Sequence, residues 1–77
     1  MNTQILPEEV SLTSRQREVL LFIGRGYTNE EIAKLLNITR HTVKAHLCAV
    51  YEVLGTASRV HAVIKAIQLG ILNIEDL

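Results

Sequence analysis

The sequence predicts an all-α domain, a small four-helix bundle-like unit built around a helix-turn-helix. Apolar residues recur at helical spacing in four separate stretches, and each stretch opens on Thr or Ser and closes on Gly or Asn. No stretch alternates polar and apolar residues as a half-buried strand does, and no internal repeat or low-complexity run appears. A chain of 77 residues with one proline and no tryptophan holds one domain. A domain of that size buries only about 60% of the surface its unfolded chain exposes, so its core is thin and a partner subunit would help it.

Residues 1–11 carry Pro7 and no sustained period, and read as a tail or the stub of a linker. The domain is expected over 12–72, with 73–77 as a C-terminal tail. The first helix, 13–25, begins with a capping box of Thr13 and Gln16, repeats Val19, Phe22 and Ile23 at helical spacing, and stops at Gly24 and Gly26. The second, 29–36, repeats the box with Thr28 and Glu31 and turns Ile32, Leu35 and Leu36 to one face. Asn37, the residue after glycine that best tolerates a left-handed backbone, ends it. Thr39 caps a third helix, 40–54, whose Val43, Leu47, Val50 and Leu54 form an inward stripe ending at Gly55. Thr56 or Ser58 opens a fourth, 58–69, running through Val60, Val63, Ile64 and Ile67 to Gly70.

Composition narrows the function classes. One cysteine excludes an internal disulfide framework and a CxxC zinc site. His41 and His46 stand five apart, which misses the i, i+4 spacing of a helical metal site, so neither metal nor cofactor is expected. No nucleophile, base and orienting acid occur together, and no enzyme is expected. The N-terminus MNTQILPEEV lacks a basic start and an apolar run, and no segment is long enough to span a membrane, which makes the cytoplasm the expected compartment. Eight Lys plus Arg balance eight Asp plus Glu, so bulk charge gives no support to a nucleic-acid partner. The distribution says more: the twenty residues from Ile32 to Tyr51 hold Lys34, Arg40 and Lys44, two histidines and no acid.

The second and third helices are joined by about three residues, with Ile38 tucked between them, an arrangement suited to presenting the second of the pair to a major groove. With its apolar stripe turned inward, the third helix leaves His41, Lys44, Ala45, Cys48 and Glu52 outward. That face is small and polar, as a helix approaching base edges needs. Lys44 suits guanine O6 or N7, Ala45 and Cys48 suit a thymine methyl, and His41 shares their face. Thr39, Arg40, His41 and Thr42 gather where free backbone N–H groups favour phosphate, and Thr28 with Asn29 offers a second phosphate site. The plain alternatives are a solvated lysine at Lys44, a small filler at Cys48 and simple helix caps at Thr13 and Thr28.

Several motifs occur together: LTxRxxEVL from Leu12, GxTNxEIAxxL from Gly26, IxxxTVKxHL from Ile38, LGxxSR from Leu54 and AVxxAxxxGxL from Ala62. On these, the chain resembles the LuxR/NarL/GerE-type helix-turn-helix domain of bacterial transcription regulators from Leu12 to about Leu72. The resemblance implies sequence-specific binding of double-stranded DNA, as a homodimer through the last helix, on inverted half-sites read by the third. It places Lys44, Ala45 and Cys48 at the bases, and Thr28, Asn29, Thr39, Thr42, His46 and Arg59 at phosphates. It reserves Ala62, Val63 and Ala66 for the core, which assigns Val60, Ile64 and Ile67 to the dimer interface. A receiver or ligand-binding domain, or a partner regulator, is implied as a companion.

The chain also departs from that pattern. Cys48, Ala49 and Val53 stand where such domains often carry Lys, Arg or Asn, and Glu52 adds a negative charge. Either DNA affinity is modest and leans on the dimer, or Glu52 accepts from a cytosine amino group. A protein-interaction module derived from the helix-turn-helix, acting on a partner regulator, is the alternative of another class. A sigma-factor C-terminal region shares the LTxRE opening, but the fourth helix argues against it.

Overall fold

The computed structural model describes residues 11–77. Most of the segment read as a tail or linker, residues 1–10, lies outside them. Four helices follow in order, α1 (Ser14–Gly24), α2 (Asn29–Leu36), α3 (Arg40–Leu54) and α4 (Arg59–Gln68), then a single 3-10 turn at Ile74–Asp76. No strand occurs among the described residues. The all-α, four-helix reading therefore holds, with each helix end within about two residues of its expected place.

The helix starts are set by side chains. Thr13 and Thr28 each accept a hydrogen bond from the backbone N–H three residues on, from Gln16 and Glu31, whose side chains in turn accept from the backbone N–H of the threonine. Both boxes satisfy donors that a helix start would otherwise leave bare. Thr39 caps α3 through Thr42 N–H at 3.1 Å, and Ser58, rather than Thr56, caps α4. Asn37 ends α2 at φ 58° and ψ 45°, the one non-glycine residue of positive φ among those described. The Ile38 N–H then donates to the Ala33 carbonyl at 3.0 Å, which closes the turn and delivers the chain to Thr39.

Two apolar clusters meet along α3, and no polar residue among those described is buried. The first joins Val19 and Ile23 of α1, Ile32 and Ala33 of α2, and Val43 and Leu47 of α3, with Ile38 packed against it. The second joins Leu20 of α1, Val50 and Leu54 of α3, Ala62 and Ala66 of α4, and Leu72 beyond it. The N-terminal half of the α3 stripe thus clamps the helix-turn-helix and its C-terminal half holds α4. Burying an Ile or Val side chain completely contributes about 1.5–3 kcal/mol. Ile32 and Val43, both wholly inaccessible, are therefore the main fixtures of the α2–α3 angle.

Leu35 departs from the expected face: it is 55% exposed. α2 buries Ile32 and Ala33 and half-buries Leu36, and this sector is centred about 100° round the helix from Leu35. The last residues also do more than trail. Asn73 caps the 3-10 turn, Arg25 Nε donates to the Asp76 carbonyl at 2.6 Å, and Leu77 lies over Gly24 of α1. A Cβ at residue 24 would stand 2.8 Å from a Leu77 methyl carbon, so a larger residue there would push the Leu77 side chain aside.

Candidate nucleic-acid interface

α3 exposes His41, Lys44, Ala45, Cys48 and Glu52, and buries Val43, Leu47, Val50 and Leu54 on the opposite side. The outward set lies within one sector of the helix, free of large apolar side chains, so another surface can approach the backbone closely. Lys44 is the cation at one edge of this sector, and Glu52 lies on the same sector about 12 Å farther along the axis, from 1.5 Å per residue.

Beside this face the starts of α2 and α3 converge on an open groove of about 560 Å³, lined by Thr28, Asn29, Glu30, Arg40, His41 and Lys44. Helix starts leave their first backbone N–H groups without intrahelical partners, and their dipoles favour negative charge. At α2 the capping box uses the N–H of Glu31, which leaves those of Asn29 and Glu30 for an outside acceptor. At α3 the cap is neutral: Thr39 and Thr42 share a hydroxyl hydrogen bond of 3.0 Å and no acid stands in the first turn. Three basic or ionisable nitrogenous side chains, Arg40, His41 and Lys44, face one carboxylate, Glu30. The groove is donor-rich and net cationic, a chemistry that suits an anion such as phosphate.

The residues expected at phosphates are not all brought together. Thr28, Asn29 and Arg40 line the groove, and Thr39 and Thr42 form the cap at its edge. His46 is half-buried and about 200° round α3 from Lys44. Arg59 sits next to the groove-lining Asn29: its exposed guanidinium donates to Asn29 Oδ1 at 2.9 Å and to the Tyr27 carbonyl at 3.3 Å, two of its five N–H donors. Glu30 was missing from the expected set, although its place one residue after Asn29 in the first turn of α2 could have flagged it.

On α4, Val60 and Ile64 are exposed, at 66% and 47%, while Ile67 is half-buried against the second cluster. Val60 and Ile64 border an apolar depression with Ile23, Gly24 and Val63. Cys48 is an exposed free thiol. No group of three metal-binding side chains converges among the described residues, and no single helix among them is long and apolar enough to cross a membrane.

Residues 10–66 match the sequence model of the family described as bacterial regulatory proteins, luxR family. Among curated proteins, the chain is 40% identical over 70 residues to the transcriptional activator protein SolR of Ralstonia nicotianae, covering 90% of this chain and 30% of that protein. It is 43% identical over 62 residues to the response regulator protein VraR of Staphylococcus aureus, covering 80% of this chain and 30% of VraR. With the transcriptional activator protein AnoR of Acinetobacter nosocomialis the identity is 38% over 61 residues, covering 79% and 26%. The chain thus spans less than a third of the length of these relatives.

Proposed function

The chain belongs to the luxR family of bacterial regulatory proteins, and from that premise and the geometry of α2 and α3 we propose that it is the DNA-binding domain of a transcription regulator. One observation carries the reading: the small, uncrowded outward face of α3 lies directly beside a groove where two helix starts pool their free N–H groups with Arg40, His41 and Lys44. α3 enters the major groove, Lys44 donates to a guanine edge, and Ala45, Cys48 and His41 fill the space against neighbouring bases. Thr28, Asn29, Thr39, Arg40 and Thr42 fix the register on the phosphates. His46 and Arg59, one on the far flank and one already bonded, are left out of the direct contacts.

The domain acts as a homodimer on inverted half-sites, through a two-fold face centred on Val60 and Ile64, whose exposure in so small a protein is unfavourable unless covered. The additional length of the relatives is where a receiver or ligand-binding domain would be carried. The compartment is the bacterial cytoplasm, where the DNA is. The family is one of regulators rather than enzymes, and no catalytic role is assigned.

Neutral net charge and Glu52 favour one competing reading, a module that keeps the fold but binds a protein. A fluorescence titration against a mixed-sequence duplex at rising salt separates the two. DNA binding through several phosphates loses affinity steeply, with a log–log slope of about −0.9 per phosphate neutralised. Absent binding, or a flat response, would favour the protein-binding module.

A further inference from the structure

Arg59 opens α4, and its guanidinium reaches the start of α2, thirty residues earlier in the chain at Asn29. Nη1 donates to Asn29 Oδ1 at 2.9 Å and Nη2 to the Tyr27 carbonyl at 3.3 Å, so the fork straddles Thr28, the residue that caps α2. Tyr27 is braced in turn by the Phe22 ring, with centroids 5.4 Å apart. A guanidinium offers donors only, so the end of the Asn29 amide that faces it has to be the oxygen. The amide flip is thereby fixed, and the nitrogen, itself a donor, is the end left over. Asn29 also lines the groove shared with Arg40 and Lys44, where a donor is what an anion requires.

We infer that Arg59 is a positioning residue for DNA binding: it sets the Asn29 amide as a hydrogen-bond donor to backbone phosphate and does not itself contact phosphate. This rests on the DNA-binding reading above. The same fork links α4, which carries the proposed two-fold face at Val60 and Ile64, to the helix start proposed for the phosphate. Lysine cannot replace it, because one ammonium on a flexible stem does not match two acceptors held in a planar fork.

The test is fluorescence anisotropy of a labelled mixed-sequence DNA duplex with the wild type, Arg59→Lys, Asn29→Ala and the double variant, across several salt concentrations. Thermal melts check that each variant is folded, as expected for side chains outside the core. Arg59→Lys preserves the charge and removes the fork. It is expected to weaken binding about tenfold, the worth of about one hydrogen bond to a charged group, with an unchanged salt slope. Asn29→Ala should lose a similar factor, and the double variant should bind no more weakly than Asn29→Ala alone. Wild-type affinity in Arg59→Lys would overturn the assignment, because a simple phosphate contact survives exchange to lysine. Losses that multiply in the double variant would also overturn it. Failure of the wild type itself to bind would instead remove the DNA-binding reading, and this inference with it.

Discussion

Asn37 is the residue on which the angle between α2 and α3 turns, and replacing it with alanine isolates the backbone contribution. It occupies φ 58° and ψ 45°, its side chain is exposed, and it makes no side-chain hydrogen bond among the described residues. Alanine therefore removes no buried contact and changes only how well the residue accepts a left-handed conformation. For an ordinary L-residue that conformation costs about 1–2 kcal/mol, somewhat less for asparagine and almost nothing for glycine. The net loss for Asn37→Ala is about 1 kcal/mol, against a total stability of about 4–12 kcal/mol for a chain of this length. In a domain this small that lowers the melting temperature by about 4–8 °C. Asn37→Gly should melt close to the wild type, since the relief at φ 58° offsets the larger entropy of the unfolded chain. Thermal unfolding followed by helical circular dichroism reads all three proteins. If alanine melts with the wild type, or glycine melts below alanine, the turn does not depend on the left-handed residue and the reasoning is wrong.

Ile32→Ala, at a wholly inaccessible position of α2, should cost about 2–5 kcal/mol in chemical denaturation, whereas Leu35→Ala three residues away should stay within about 0.5 kcal/mol. Equal losses at the two sites would contradict the observed orientation of α2. Val60→Glu and Ile64→Glu change positions exposed in the single chain, so helical circular dichroism should show the fold kept while sedimentation shows loss of self-association. Unchanged self-association in both would move the dimer interface off α4.

Local features were readable from the chain alone. The boxes of Thr13 with Gln16 and Thr28 with Glu31, the left-handed Asn37 and the cap at Thr39 each depend on residues within four positions of one another, so their chemistry is written in adjacent letters. The α3 stripe was legible for the same reason, because fifteen helical residues show their period plainly, and the outward face followed from it. Leu35 was misplaced because eight residues of α2 carry too few turns to choose between two apolar sectors, and the packing of Ile32 and Ala33 on α1 and α3 made the choice. Leu20 and Leu72 join the second cluster only when α1, α3 and α4 assemble, so no local pattern announced those two members of it. The same holds for the bonds of Arg59 with Asn29 and Arg25 with Asp76, which join residues 30 and 51 apart. At the candidate site the resemblance supplied Arg59 as a phosphate contact, and the structure adds its hydrogen bond to Asn29, which no local pattern could show.

The central claim is that α3 reads DNA sequence through Lys44, and selection of bound sites from random DNA by the wild type and Lys44→Ala tests it most directly. The wild type should enrich an inverted repeat. Lys44→Ala should enrich the same repeat with the preference relaxed at one base pair of each half-site, by about 1–3 kcal/mol in affinity for that base. A wild type that enriches nothing, or a Lys44→Ala variant that enriches an unchanged site, would contradict it.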